Sequence, residues 1–327
     1  MSTRLAIVLA IAAAGFAATR PHYGGTLRVE IRETPPSPEV FGVPKGFVLT
    51  TWEGGRRAIF SADDNAPGGR PFLDNVEFQL GRSMRDQSLD LELGKADVVE
   101  LGAAELRRQA PGRRVWSSSP VRLMALVFGP RISDAHVREA LALAVDRNAI
   151  HSVLLQKQGE ISGALLPQWI TGYAFVFSAA ADLARAQALV AAIPPADRTF
   201  SLAADDPANR GIVDRIQLNA RDAHLNVSVV PPTANPDVRL VETRIAFADA
   251  AHALAGVAIA LGLNEPPAAR SPEEQYQAER ALLDGFRVIP LFHLPVAYGA
   301  GPRVQGGPVI TPLGEWCFDS LWVEERP

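Results

Sequence analysis

The sequence predicts an α/β protein in which helices flank mixed β-sheets. A strand–helix–strand unit is predicted over Thr199–Ala203, Pro207–Asp222 and Leu225–Val230, and its two strands should be parallel. The run Val121–Phe128 (VRLMALVF) is almost continuously apolar, which is typical of a strand covered on both faces. Asp182–Ile193 carries apolar residues at helical spacing and predicts an amphipathic helix.

The first hundred residues predict shorter elements. Thr26–Arg32 alternates apolar and polar residues and predicts a strand. Phe47–Trp52 and Arg56–Ser61 alternate in the same way and meet at Glu53–Gly55, which predicts a hairpin. The proline-rich stretch Glu33–Pro44 lies between the first strand and the hairpin. It cannot be helical and predicts a connector.

Helix signals dominate the second half. A long helix is predicted from Ser133 or Asp134 to about Gln156. Ser271, followed by Pro272 and two glutamates, predicts a capped helix that reaches Phe286. Val288–Leu294 then predicts another buried strand.

Composition excludes several classes of protein. The 327-residue chain is 47% apolar and 21% charged, as expected of a folded protein with a full core. Its net charge is −4 without a basic block, so nucleic acid is not expected as a partner. Cys317 is the only cysteine, which excludes an internal disulfide, and no Cys/His spacing predicts a metal site. No cofactor is predicted.

The N-terminus has the layout of a secretory signal peptide. A short basic start, Met1–Arg4, precedes the apolar run Leu5–Ala14 and the small residues around Phe16. The run is too short for a membrane-spanning helix, which needs about 20 residues, and no comparable run follows. No cysteine follows the signal that could carry a lipid anchor. The sequence therefore predicts an exported, soluble periplasmic protein that is not embedded in a membrane.

Catalytic motifs are not found. The histidines are scattered, and no zinc-protease, nucleophile-elbow or phosphate-loop motif occurs. His293, in an apolar strand, is interpreted as a core residue. We therefore predict no catalytic residue, and a hydrolase with an unrecognised site is the least favoured reading.

Segments along the chain together resemble the family 5 extracellular solute-binding proteins, the peptide- and nickel-binding components of ABC importers. They occur in the order found in that family. The segments are Gly24–Val29, Lys45–Phe78, Ser133–Arg147, Leu202–Val229 and Glu279–Leu294.

The resemblance implies a periplasmic-binding-protein-like (class II) two-lobe fold with a reduced first lobe. It divides the chain into a signal peptide (1–18), a reduced first lobe (19–120), an α/β second lobe (121–290) and a return segment to the first lobe (291–327). It also implies that the protein captures a peptide-like or other small solute, which it delivers to an inner-membrane ABC permease.

Two departures from the family pattern bear on this function. Only the connector at about Arg32–Val43 stands where members usually have a large block of the first lobe. Asp237–Ala248 lacks the Trp and the Asp with which many peptide-binding members hold the ligand's amino terminus. The alternative is a degenerate binding fold that acts as a periplasmic interaction or structural protein without a role in transport.

The family layout also suggests which residues line the ligand site. Hinges are predicted where the two buried strands run into Gly129–Pro130 and Gly299–Pro302, and aromatic residues near them are candidates for the ligand wall. Ordinary packing is the alternative for each. The candidates are Phe128, Trp169, Tyr173 and Trp316.

Overall fold

The computed structural model describes residues 20–108 and 111–324, so the predicted signal peptide lies outside the described residues. Strands in this part of the chain alternate with helices, as an α/β fold requires. The strands are β1 (Thr26–Glu30), β2 (Phe47–Glu53), β3 (Arg57–Ala62), β4 (Asn75–Gln79), β5 (Val98–Glu100), β6 (Arg114–Phe128), β7 (Glu160–Ile161), β8 (Thr199–Ala204), β9 (Asn226–Val229), β10 (Val238–Arg244), β11 (Val288–Ala300), β12 (Val304–Gly306) and β13 (Leu321–Val323).

The helices range from single turns to three turns and more. Several begin at a side chain that accepts a hydrogen bond from the first turn, such as Ser83, Asp134 and Ser271. The helices are α1 (Pro38–Phe41), α2 (Met84–Glu92), α3 (Ala103–Arg107), α4 (Ala135–Ala144), α5 (Arg147–Ala149), α6 (Gln168–Thr171), α7 (Leu183–Ala191), α8 (Arg210–Asp222), α9 (Ala250–Ala260) and α10 (Pro272–Leu283).

One mixed sheet contains eleven of the strands in the described residues, and β12 pairs with β13 in a separate two-stranded sheet. The strand order of the mixed sheet is β2-β3-β4-β1-β5-β11-β6-β10-β8-β9, and β7 pairs with β11. The central strands β6 and β11 are 15 and 13 residues long, and they pair antiparallel from Arg114 with Ala300 to Val127 with Val288. These two strands therefore connect both halves of the molecule.

Two prolines face each other midway along this strand pair. Pro120 of β6 lies opposite Pro295 of β11, and the register shifts on both sides of Pro295. Because proline has no backbone N–H, the hydrogen-bond ladder is interrupted here. We call this point the crossing.

Separate apolar cores lie on the two sides of the crossing. The core of the first lobe includes Leu27, Phe60, Phe78 and Phe318, so the C-terminal segment packs into the N-terminal part of the chain. The second lobe has a core on each face of its sheet. Met124, Leu126, Phe200 and Phe292 belong to one, and Leu123, Ala125, Leu165 and Val257 to the other.

These cores explain the continuous apolar run in β6. Leu123 and Ala125 point to one face of the sheet, and Met124 and Leu126 to the other, so both faces need apolar side chains. The predicted α/β class is confirmed. The strand–helix–strand unit is confirmed as parallel β8 and β9 joined by α8, and the hairpin as antiparallel β2 and β3.

Three local predictions are wrong. The long helix ends at Ala144 because Val145 is extended, and Asp146 caps a new turn that continues as a π-helix at Ile150–Leu154. The connector Glu33–Pro44, predicted not to be helical, contains the single turn α1, because Pro38 lies in the first turn, where its missing N–H is not needed. The predicted hinge turns lie away from the crossing, since Gly129 follows the distal end of β6 and Gly299 lies inside β11. The apolar run had indicated only the part of β6 that is buried on both faces.

Asp237 ties β8 to β10 in the second lobe. Its carboxylate accepts hydrogen bonds from the backbone N and the Oγ of Ser201, at 2.8 and 2.7 Å, and it also pairs with Arg131. Hydrogen bonds from Arg131 and Ser201 hold the pKa of Asp237 below its usual range. The ionised form is therefore the one that stabilises the fold.

We predict that Asp237→Ala lowers the free energy of unfolding by about 2–3 kcal/mol at pH 7, because charge-assisted hydrogen bonds are lost. Asp205→Ala, which breaks a more exposed pair with Arg239, is the control and should cost less than about 1 kcal/mol. The cost of Asp237→Ala should shrink as the pH falls below about 4. In that range Asp237 binds a proton when the wild type unfolds, and this proton uptake lowers the free energy of unfolding of the wild type. Urea denaturation measures both, and equal costs at pH 7 would contradict the assignment.

Candidate functional site

A cleft opens at the crossing, between the two lobes. One cavity, of about 420 Å³, is lined by residues of both lobes together with β6 and β11, and we call it the main cavity. Two further cavities, of about 290 and 530 Å³, lie against the same strands. Arg122 lines all three, so it marks the centre of the cleft.

Arg122 owes this position to its place on β6, two residues after Pro120. It pairs with Leu294 of β11 on one side and with Arg244 of β10 on the other. Two guanidinium groups on neighbouring strands repel each other unless carboxylates lie nearby. The guanidinium of Arg122 lies 2.8 Å from Glu33, 3.7 Å from Glu242 and 4.0 Å from Glu100.

Arg32 connects the two lobes across the cleft. Its guanidinium lies 3.3 Å from Glu100 in the first lobe and 2.6 Å from Asp206 in the second. Its backbone N also donates to the carboxylate of Glu100, at 2.7 Å. Burial lowers the pKa of both Arg32 and Arg122, but the surrounding carboxylates outweigh burial and raise it, so both stay protonated.

An apolar wall completes the main cavity. Its side chains come from both lobes. Beside this wall, Asn209 in the turn before α8 donates a hydrogen bond to Glu242 at 2.6 Å. The apolar lining residues include Met84, Leu101 and Leu106 from the first lobe and Leu154, Leu155 and Ile212 from the second.

Trp316 is the one candidate aromatic among the lining residues of these cavities. Its ring lies 4.7 Å from that of Tyr298 and 5.1 Å from that of Phe78, and it lines the cavity of about 290 Å³. Trp169 lies elsewhere on the crossing: its side chain is 38% exposed, and its Nε1 donates to the carbonyl of Pro120 at 2.8 Å.

The other two candidates lie away from the cleft cavities. Phe128 is 3% exposed and belongs to a core of the second lobe. Tyr173 packs against Phe177 and Tyr276. Burial and the nearby carboxylate of Glu279 raise the pKa of Tyr173, so its hydroxyl stays protonated.

The charged residues of the cleft escaped sequence reasoning. Arg122 is the single charge in the apolar run of β6, and Glu100 ends the buried strand β5. A lone charge in such a strand indicates a polar opening in the core, which is a signal that a search for aromatic residues passes over. Arg32 follows β1 at the end of an alternating stretch and Glu242 lies in β10, where charged residues are ordinary, so no local pattern distinguishes them.

Glu279 holds the loop that carries Trp169 to the crossing. Its Oε1 accepts from the backbone N of Leu165 and Leu166, at 2.6 and 3.0 Å, while its Oε2 has no hydrogen-bond partner among the described residues. Burial raises the pKa of Glu279 to about 7. His293 of β11 is buried and hydrogen-bonds the carbonyl of Leu165 in the same loop, at 3.2 Å, which confirms the predicted core histidine.

We predict that the stability contributed by protonated Glu279 is present below about pH 4 and is lost as the pH rises through about 7. The wild type should therefore be about 2–3 kcal/mol less stable at pH 8 than at pH 5 from this group. Glu279→Gln should remove that difference, whereas Glu273→Gln, on the exposed side of α10, should keep it. Urea denaturation at both pH values decides, and a pH dependence unchanged in Glu279→Gln contradicts the prediction.

Neither a membrane span nor a preformed metal site stands out in the described ranges. No helix within residues 20–108 and 111–324 is long and apolar enough to cross a bilayer. The same ranges contain no group of three or more His, Cys, Asp or Glu side chains placed to hold a metal ion.

Several solved structures share this fold at low sequence identity. NikA from Staphylococcus aureus, in complex with Ni(L-His)2, has a TM-score of 0.73 at 14% identity over 85% of this chain and 68% of its own. A dipeptide-binding protein from Pseudoalteromonas sp. SM9913, in complex with Met-Leu, has a TM-score of 0.70 at 14% identity over 85% of this chain and 64% of its own. AgaA from A. tumefaciens R10, in complex with agropinic acid, has a TM-score of 0.68 at 18% identity over 86% of this chain and 67% of its own.

The chain thus spans about two thirds of the length of these structures. The family and these neighbours are binding proteins. No curated protein matches the sequence. The family model of the bacterial extracellular solute-binding proteins, family 5, matches residues 46–254, which is more than half of the chain. The chain therefore belongs to the family 5 bacterial extracellular solute-binding proteins.

Proposed function

We propose that this protein is the substrate-binding component of an ABC importer and binds a small or peptide-like solute in the cleft around Arg122. The observation that carries the proposal is the cavity of about 420 Å³ at the crossing, lined by both lobes. This volume lies within the range of small-molecule sites, about 300–1,000 Å³. Without catalytic chemistry, the protein would release the solute unchanged to an inner-membrane permease.

The lobes would close on the solute about the crossing. We place the lobe boundaries near Pro120 and Pro295, with the chain after Pro295 returning to the first lobe, because the ladder of β6 and β11 is interrupted at these prolines. The second boundary thus moves from the predicted 290–291 to Pro295, since Phe292 still belongs to a core of the second lobe. Outside this strand pair, the lobes are bridged by side-chain contacts, Arg32 with Asp206 and Arg244 with the carbonyl of Gly314. Such contacts re-form readily when two bodies rotate.

The aromatic candidates divide between two roles in this proposal. Trp316 would form part of the solute's wall, since it lines a cleft cavity. Trp169 would move together with the crossing, to which its hydrogen bond to the carbonyl of Pro120 attaches it. Residues 1–18 would direct export to the periplasm and be removed there.

A degenerate fold is the second candidate, and one observation favours it. Arg32 and Arg122 are already paired with carboxylates of this chain, so the cleft is held together without a ligand. The connector, however, does not fill the main cavity. Its Phe41 packs on Phe60 and Phe78 in the first lobe instead.

Thermal unfolding with added solutes tests the two candidates. The panel should hold dipeptides, oligopeptides, amines, opines and nickel–histidine complexes. A solute at a hundredfold excess over its dissociation constant stabilises by about 2.7 kcal/mol. A shift with one class supports transport, and no shift with any class supports the degenerate fold.

We predict that Gly211→Phe weakens binding of any stabilising solute at least tenfold. Gly211 lies in the first turn of α8 and lines the main cavity, and no atom lies within 4 Å of the position a Cβ would take. The new ring would therefore fill the cavity without a local clash, and folding should not suffer because glycine is a poor helix former. Isothermal titration calorimetry measures the loss.

The matched control is Gly68→Phe, in a first-lobe loop whose surroundings are equally open. It should leave the affinity unchanged. Equal affinities for the wild type and Gly211→Phe would place the solute outside this cavity.

A further inference from the structure

We propose that the solute is a compact amphipathic cation, with an aliphatic body and an amino or guanidino group. This inference rests on the proposed function and names the ligand class of the same cleft. It follows from the charges, the pairing of the guanidinium donors and the apolar wall of the cavities around Arg122.

Negative charge exceeds positive charge around the cleft. Apart from Asp205, which pairs outward with Arg239, the lining residues of the three cavities carry five carboxylates and three guanidinium groups. Two negative charges therefore remain uncompensated by these residues. The carboxylates are Glu33, Glu100, Glu105, Glu242 and Asp206, and the guanidinium groups are Arg32, Arg122 and Arg244.

The five carboxylates differ in how many guanidinium groups lie close to them. Three of them surround the single guanidinium of Arg122, at 2.8 to 4.0 Å. Glu105 lines the main cavity and takes part in none of the ion pairs found among the described residues. A second cation placed in the main cavity would therefore meet Glu100, Glu105 and Glu242 with attraction to each.

A ligand carboxylate in the main cavity would find no unpaired guanidinium group among the residues that line it. Arg244, which donates to the carbonyl of Gly314, lines only the two neighbouring cavities. Arg32 and Arg122 are each held by two or more carboxylates. Backbone donors at the start of α8 attract anions in general, but Asp206 already caps the turn before this helix and Glu242 bonds to Asn209. An incoming anion would have to displace these acids, so anionic and carboxylate-anchored solutes are disfavoured.

The remaining wall selects for an aliphatic body. Leucine, isoleucine and methionine side chains from both lobes face the main cavity, which lowers the free energy of an apolar chain placed there. Tyr298 lines both this cavity and the neighbouring one that Trp316 lines. An aromatic ring beside carboxylates is a favourable surface for ammonium and guanidinium groups.

Calorimetric titration with solutes of matched shape tests the inference. We would use n-hexylamine and agmatine as cations, n-hexanoate as the anion with a similar aliphatic body, and the dipeptide Met-Leu as a carboxylate-bearing zwitterion. The expected result is binding of at least one cation at least tenfold tighter than n-hexanoate and Met-Leu. The affinity for the cation should also fall as the salt concentration rises.

Charge-neutralising variants locate the cation. Glu242→Gln and, separately, Glu105→Gln should weaken binding of the cation about tenfold to a hundredfold, as expected for a lost charge-assisted contact. Glu77→Gln, which removes the same charge from β4 in the first lobe, should leave the affinity unchanged. Melting curves verify that each variant is folded, and Glu105 has the fewest contacts to lose if Glu242→Gln is unstable.

The outcomes separate this inference from the proposed function. If n-hexanoate or Met-Leu binds tightest and Gly211→Phe abolishes that binding, the cleft is a solute site but the ligand class is wrong. If a cation binds but neither Glu242→Gln nor Glu105→Gln weakens it, the inference is also overturned. If no solute of any class binds, the proposed function itself fails.

Discussion

The structure depends on the pairing of β6 with β11 through both lobes. These two strands form the floor of the cleft, carry Arg122 at its centre and join the two sets of apolar cores. Because the strands are continuous, the lobes cannot separate. Because Pro120 and Pro295 interrupt the ladder at the crossing, the pair is weakest in hydrogen bonds where the lobes meet. The same strands thus join the halves and carry the point about which we propose that the lobes close.

The charge network on this floor has a physical cost that a purely structural role does not explain. Arg122 and Glu100 are largely buried, and burying charged groups is unfavourable unless they are paired. A pair of apolar side chains would serve stability as well or better. Arg32 and Asp206 belong to different lobes, so part of the network depends on how the lobes are arranged. A network of this kind is suited to a site that exchanges internal partners for a ligand.

Sequence patterns predicted the fold well where burial imposes a period. The parallel strands β8 and β9, the β2–β3 hairpin and the cap at Ser271 follow from local spacing and from turn and cap residues. The full length of β6 and β11 did not follow, because Arg114–Pro120 is only partly buried and lacks the apolar signal. The end of α4 at Ala144 also did not follow, because the apolar helical spacing continues past it.

The candidate site was harder to predict, for a physical reason. Arg32, Glu100 and Glu242 are far apart in sequence and meet only when β1, β5 and β10 enter one sheet. Aromatic residues near the predicted hinges are the natural candidates from sequence alone, yet Phe128 fills a core, which an apolar pattern does not distinguish from a cleft wall. Trp316 reaches the cleft because the C-terminal segment returns to the first lobe.

Closure of the lobes about the crossing is the central claim, and a distance between the lobes tests it most directly. Spin labels at Leu89 of α2 and Leu218 of α8, both exposed, would report that distance in a Cys317→Ser background. The account predicts that a saturating solute shortens and narrows the distribution of distances measured by pulsed electron paramagnetic resonance. Binding of a solute with an unchanged distribution would contradict it.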